Sequence, residues 1–325
     1  MQVQSDVPLA PLTTLRLGGP ARTLLVCESS DDLIDAVRSR PSALLLGGGS
    51  NVVLPDAGLD EVLLVRSRGQ AGLTVQAGED WDPFVERTLA EGYAGLEALS
   101  GIPGTVGASP IQNIGAYGGD VASVIRSVEV LDRAADAVLS LGADECGFAY
   151  RTSRFKREPA RWVVLAVTFD LPKAQLSAPV AYAELAETLG VRLGAQAPTA
   201  DVREAVLALR ARKGMVLDPA DPDSVSAGSF FTNPVVDQAP EGAPSWPADG
   251  GIKVSAAWLI QQAGFDKGWG EGQIGLSSKH ALAVINRGGG TSAELLELAR
   301  TIRDRVRDRF HITLENEPVL VGVSL

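Results

Sequence analysis

Apolar positions fall into short runs separated by polar turns through the first third of the chain. TLLVC (23–27), ALLLG (43–47) and EVLLV (61–65) are predicted as strands. Asp32 to Ser39, with Ser29 and Ser30 as cap candidates, is predicted as a helix. LTVQAG (73–78) opens a second unit and is followed by a helix around Asp82 to Glu91. SVEVLDR (127–133) and RWVVLAVTFDL (161–171) read as strands of one sheet, with a hairpin near Arg133 to Asp136. Thr199 to Lys213 has a helical pattern, with Thr199 as cap and Val202, Val206, Leu207 and Leu209 near one face. Residues 214–228 and 237–251 read as proline-broken loops, the second too rich in Pro and Gly to be structured alone. A helix at Ser255 to Ala263 and a strand at 281–286 follow. A Thr291-x-x-Glu294 capping box then opens a long amphipathic helix through Leu295, Leu298, Ile302, Val306 and Phe310. PVLVGV (318–323) is the last predicted strand, and no internal repeat is visible.

Two segments break this pattern. LLLGGGSNVVLPDAG (44–58) sets three consecutive glycines between apolar runs, and seven of the 25 residues from Gly95 to Gly119 are glycine. Glycine costs roughly 0.5–1 kcal/mol relative to alanine inside a helix or strand, so the second segment is expected to be an extended loop pressed against something. The first fits neither the dinucleotide fingerprint, since Val52 stands where the third glycine belongs, nor a Walker loop, since no Lys-Ser or Lys-Thr follows. It is either a strand-ending turn or an anion nest, in which the amides of Gly47, Gly48, Gly49 and Ser50, with the Ser50 hydroxyl and Asn51 amide, face a diphosphate.

Length and composition narrow the chemistry. At 325 residues the chain suggests two or three domains, and 45% hydrophobic with 21% charged residues is ordinary for a globular protein. A net charge of −11 argues against nucleic-acid binding as the main task. The N-terminus does not read as a signal peptide, and no run approaches the roughly 18 apolar residues of a membrane span. A cytoplasmic monomer is expected. Cys27 and Cys146 are expected as buried small hydrophobes rather than a disulfide. With only His280 and His311, no multi-histidine metal site is expected and a Ser-His-Asp triad has few ways to form. Chemistry should rest on other residues or on a bound cofactor.

Two glycine-rich loops in neighbouring units suit a large cofactor with a diphosphate and a flat ring. GGGSN with Leu54, then SGIPGTVGASPIQNIGAYG, resembles the flavin-binding half of the UDP-N-acetylenolpyruvoylglucosamine reductase (MurB) family, and TTLRLGGPA (13–21) is similar to that family's first strand. FAYRTSRFK (148–156) resembles its Tyr-Arg-x-Ser-x-Phe-Lys, AGSFFTNPVV (227–236) its Gly-Ser-Phe-Phe-x-Asn-Pro, and LENEPVLVG (314–322) its Leu-Glu-Pro-Glu with a trailing strand. Taken singly, such an arginine is most often in a surface ion pair, such a serine in a turn and such a glutamate in solvent. Five matches in order over nearly the whole chain are specific.

The resemblance implies an α+β fold. It comprises a two-part N-terminal FAD-binding region of the PCMH/vanillyl-alcohol-oxidase type (1–68 and 69–213, the latter joined by 318–325) and a C-terminal α+β substrate-binding domain (214–317). It further implies bound FAD, NADPH as hydride donor, a UDP-sugar substrate and a place in peptidoglycan precursor synthesis. Arg151, Ser229 and Glu317 take the catalytic positions, with Glu315 as the rival of Glu317 because Asn316 replaces the usual proline. Cofactor contacts fall on Gly47, Gly48, Gly49, Ser50, Asn51, Gly101, Gly104, Thr105, Gly107, Ala108, Ser109, Asn113 and Gly115. Substrate contacts fall on Tyr117, Tyr182 (the tyrosine of the longer, type I-like subclass), Arg210, Lys213 and Asn233, with Lys279 or His280 as a further contact. Thr232 stands where many relatives have lysine.

Overall fold

A computed structural model describes residues 1–325. The chain divides into two compact units, neither of them contiguous: 1–5, 23–48 and 60–211 form the first, and 6–22, 49–59 and 212–325 the second.

In the first unit the predicted helix forms as Ser30–Ser39, and the Ser29 side chain caps it by accepting from the Asp32 amide. Its buried Leu33, Ala36 and Val37 pack with Leu25, Leu63, Leu131 and Leu165. The strand Leu44–Leu46 runs parallel to Leu59–Val65, at one edge of a four-stranded sheet whose other members are Pro20–Cys27 and Gln2–Pro8. The Gln2–Pro8 strand is largely exposed and has no apolar alternation, so the hydrophobic pattern does not reveal it.

A five-stranded antiparallel sheet has the order Ala137–Gly142, Ile125–Asp132, Trp162–Phe169, Thr74–Gln76, Gln70–Ala71. The expected hairpin is its 133–136 turn. Against this sheet the helix Trp81–Ala90 buries Trp81 and Phe84, whose rings meet Phe169 at 6.2 and 4.9 Å. A smaller cluster joins Val180, Leu185 and Ala186 to the helix Thr199–Arg212 through Val202, Val206 and Leu209. Both cysteines are free and buried, and burial pushes each thiol up to about 11.

The second unit centres on the helix Ser292–Phe310, opened by the Thr291–Glu294 capping box and burying Leu295, Leu298, Ile302 and Val306. Around it lie the sheet of Ser226–Ser229, Ala283–Asn286 and Ile274–Leu276, the helix Ala256–Gln262, and buried Leu15, Leu17 and Val53 from the two N-terminal segments. The expected unstructured stretch 237–251 instead contains Ser245–Ala248, paired antiparallel with Gly251–Val254 across a two-residue Asp249–Gly250 turn. Pro247 is tolerated because its strand is an edge, and Asp-Gly between two runs is itself a hairpin signal. The last predicted strand shortens to Val319–Leu320, parallel to Val52–Val53. No helix is long and apolar enough to cross a membrane.

Candidate active site

In the first unit the two glycine segments meet. A Cβ on Gly48 would lie 2.6 Å from the Gly104 Cα, and one on Gly47 would lie 2.9 Å from Thr105 Oγ1. Both positions must therefore be bare for the loops to touch. The second loop is zipped onto the start of the Trp81–Ala90 helix: Trp81 N donates to Gly104 O (3.1 Å), Val106 N to Glu79 O (2.9 Å) and Gly107 N to Ala77 O (2.9 Å). Gly107 is bare because its Cβ would sit 2.8 Å from the Ala77 Cα. Ala108 ends the short 3-10 turn Val106–Ala108, and the Ser109 hydroxyl donates to Val106 O at 2.7 Å. Asn113 clamps two loops, donating to Ala149 O (3.2 Å) and accepting from Ala122 N (3.0 Å).

An arginine that sequence reasoning passed over stands beside the first loop. Arg66 donates to Gly47 O (3.2 Å) and Val65 O (2.9 Å), and burial lowers its guanidinium pKa. Its only sequence signal was an arginine ending a buried strand.

Gly115 begins a hairpin, Gly115–Ala116 with Gly119–Asp120, turned by Tyr117 and Gly118, both at positive φ. The Tyr117 ring stands edge-on to Tyr182 at 5.4 Å. Arg151, at φ +53°, donates from Nη2 to Gly115 O at 2.7 Å. Its own carbonyl accepts from Lys156 Nζ (3.1 Å), while the buried Ser153 hydroxyl donates to Ile111 O (2.6 Å). The polar residues of the 148–156 motif thus tie the arginine's turn to the second glycine segment. Arg210 is buried at 9% exposure, which pushes its guanidinium down to about 10; Tyr117 and Asp82 favour its charge and Arg151 opposes it. Tyr117, Tyr182, Arg151 and Arg210 therefore form one cluster.

In the second unit the chain leaves Gly49 buried, with an amide that meets no backbone carbonyl. A buried unmatched N–H is uncommon and calls for an acceptor, which an anion supplies. Ser50 O accepts from Thr14 Oγ1 at 3.5 Å. Asn51 holds the C-terminal segment, its Nδ2 donating to Glu317 O (3.3 Å) and its carbonyl accepting from Val319 N (2.9 Å).

That segment also pairs with the residues after Ser229. Glu317 N donates to Phe230 O (2.8 Å) and Thr232 N to Glu315 O (3.0 Å), with Phe231 opposite Asn316. Ser229 and Glu317 consequently sit at the same end of one antiparallel pair. Glu317 is half-buried, whereas Glu315 at the other end is exposed. Beneath them Phe230 and Phe231 are both 1% exposed and stacked edge-on at 5.1 Å. Asn233 accepts from Ala256 N (2.9 Å) at the start of the Ala256–Gln262 helix. Lys279 is engaged by Asp221 at 2.8 Å, an ion pair that raises its pKa, and His280 N donates to Ser277 Oγ. Arg210 falls with the first unit and Lys213 with the second.

Residues 219–321 match the C-terminal domain of UDP-N-acetylenolpyruvoylglucosamine reductase, and residues 21–142 match an FAD binding domain. The chain is 51% identical to the UDP-N-acetylenolpyruvoylglucosamine reductase of Thermobifida fusca, over 98% of each chain. It is 50% identical to that of Mycolicibacterium gilvum, over 99% of this chain and 97% of the other. It belongs to this family. The solved structure of the Thermus caldophilus reductase superposes with a TM-score of 0.70 at 28% identity, covering 98% of this chain and 99% of that one. The fold is accordingly that of the reductase family, an FAD-binding region followed by the family's C-terminal domain.

Proposed function

We propose that this chain reduces the enolpyruvyl ether of UDP-N-acetylglucosamine enolpyruvate to the lactyl ether of UDP-N-acetylmuramate, in peptidoglycan precursor synthesis. It is an FAD-dependent oxidoreductase using NADPH. The bare contact of Gly47 and Gly48 with Gly104 and Thr105, and the unmatched Gly49 amide, fit a diphosphate-bearing cofactor. Gly47 to Asn51, Gly101, Gly104 to Ser109, Asn113 and Gly115 would hold FAD. When bound, flavin supplies the hydride chemistry, and the protein supplies position, electrostatics and a proton.

Hydride addition at C3 of the enolpyruvyl group pushes charge through C2 onto the carboxylate. Arg151, and Glu317 acting in its protonated form or through a shared proton, would stabilise that charge more than they stabilise the ground state. The Ser229 hydroxyl then delivers its proton to C2, a carbon basic enough at that stage to take it from a weak acid. Tyr117, Tyr182, Arg210, Lys213 and Asn233 bind the nucleotide sugar. The division into 1–68, 69–213 with 318–325, and 214–317 belongs to the same reading, as do cytoplasmic location and a monomeric state.

The strand pairing of 230–232 with 315–317 supports this reading most, because it sets a serine and a half-buried glutamate at one end of a rigid element. The purified protein should be yellow and turn over NADPH catalytically, beyond one equivalent per flavin, only when the enolpyruvyl nucleotide sugar is present. Flavin-loaded protein with no such dependence would favour an oxidase of the same cofactor superfamily. Colourless protein unable to take up flavin would favour a non-enzymatic nucleotide-binding module.

A further inference from the structure

Asp82 occupies the first turn of the Trp81–Ala90 helix, and its carboxylate makes two kinds of contact at once. Oδ1 accepts from the Gly101 amide at 2.6 Å, at the start of the second glycine loop. Both oxygens also accept from Arg203, Nη1 to Oδ1 at 2.7 Å and Nη2 to Oδ2 at 3.0 Å. Arg203 is only 14% exposed, and it lies on the Thr199–Arg212 helix seven residues before Arg210, hence on the same face two turns away. A bidentate guanidinium–carboxylate pair fixes angle as well as distance, which a lysine or a single hydrogen bond does not. Burial opposes the charge on Asp82, but Arg203 and the Gly101 amide outweigh it and hold the carboxyl below its usual range. The proposed chemistry uses neither Asp82 nor Arg203.

We propose that Asp82 and Arg203 are positioning residues: through one carboxylate they fix the flavin loop at Gly101 to the helix that carries Arg210, so that nucleotide binding and flavin environment depend on each other. The proposal rests on the assignment of Arg210 to the nucleotide sugar and of Gly101 to FAD. Charge alone predicts the opposite sign for one variant. Asp82→Asn removes a negative charge near Arg210, so as a mere counter-charge its loss would tighten anion binding, whereas loss of positioning loosens it.

The test uses flavin-loaded full-length protein with UDP as the probe, followed by calorimetry, together with the visible flavin absorption band. Arg203→Met and Asp82→Asn are each expected to weaken UDP by on the order of tenfold and to shift the flavin band. The double variant should be no worse than either single one, and Arg203→Lys should recover part of the loss. A purely structural pair would lower the melting temperature and leave both readouts unmoved. UDP affinity within about twofold of the unsubstituted protein with an unchanged band, or tighter UDP binding by Asp82→Asn, overturns the proposal. If Asp82→Asn does not fold, Arg203→Met decides alone. If the unsubstituted protein binds flavin but no UDP, the nucleotide-sugar reading has failed. The flavin band of Arg203→Met then still decides, a shift supporting the link and no shift overturning it.

Discussion

Ser229 ends its strand one residue before the buried Phe230 and Phe231, so its backbone is held by the core while its side chain remains half-exposed. A hydroxyl placed this way, in the donor role proposed for it, can be deleted without disturbing the pairing that carries Glu317. Ser229→Ala is expected to leave flavin reduction by NADPH nearly intact while product formation falls by about 10²–10⁴, the usual range for a general acid. Stopped-flow absorbance of the two half-reactions, measured separately, checks this, and equal failure of both in a folded variant rules out the donor role. The motif around Arg151 was legible because an arginine and its neighbours recur in a fixed order. Its backbone was less so: φ +53° at Arg151 belongs to a two-residue turn closed by Ala149 and Thr152, and φ +50° at Tyr117 to the turn closed by Ala116 and Gly119, both at non-glycine residues that give no turn signal of their own. Arg66 and Arg203 were not legible, because their importance depends on what lies across from them.

Helices were read well from sequence wherever a cap accompanied the apolar period. Ser29 and the Thr291–Glu294 box mark starts that local hydrogen bonds enforce, with the Glu294 carboxylate 2.8 Å from the Thr291 amide. Strands were read well where they are buried, as in Trp162–Phe169, and missed where they are exposed edges, as in Gln2–Pro8 and Ser245–Ala248. One strand end carries a pH-dependent contact. Asp132, the last residue of Ile125–Asp132, is covered by Arg161, which donates to both its oxygens at 3.0 and 2.7 Å. The Arg161 hydrogen bonds outweigh burial and lower the Asp132 pKa to about 2. The unfolded carboxyl titrates near 3.9, so this contact stabilises the fold fully above about pH 4 and is lost as pH falls towards 2. Asp132→Asn should therefore melt below the unsubstituted protein at pH 7, with the gap closing between about pH 4 and pH 2 in thermal scans. A gap independent of pH would mean that the charge contributes nothing.

For the molecule as a whole, the second unit is assembled from segments far apart in the chain, and nothing in a local hydrophobic pattern announces such long-range partners. Its core takes Leu15, Leu17 and Val53 from the N-terminal segments. Asn286 donates to Leu15 O at 3.0 Å, and Ser292 Oγ to Leu54 O at 2.6 Å. Residues 212–325 expressed alone are thus expected to lack a cooperative melting transition. Adding a peptide covering 6–59 should restore part of it, and a sharp transition in the isolated fragment would contradict the expectation.

The same discontinuity has a consequence for how the protein is made. At roughly 5–20 residues per second, the segment holding Gly49 to Asn51 leaves the ribosome on the order of ten seconds or more before residue 212 is added. The strand that Asn51 and Val53 must grip, Val319–Leu320, follows later still. During that interval the glycine loop has no C-terminal partner, and the segment carrying Glu317 does not yet exist. A nascent chain at that stage carries the loop without the segment that Asn51 and Val53 bind. The Val319–Leu320 strand therefore closes on Val52–Val53 only after more than 260 intervening residues have been made, so this pairing is among the last to form.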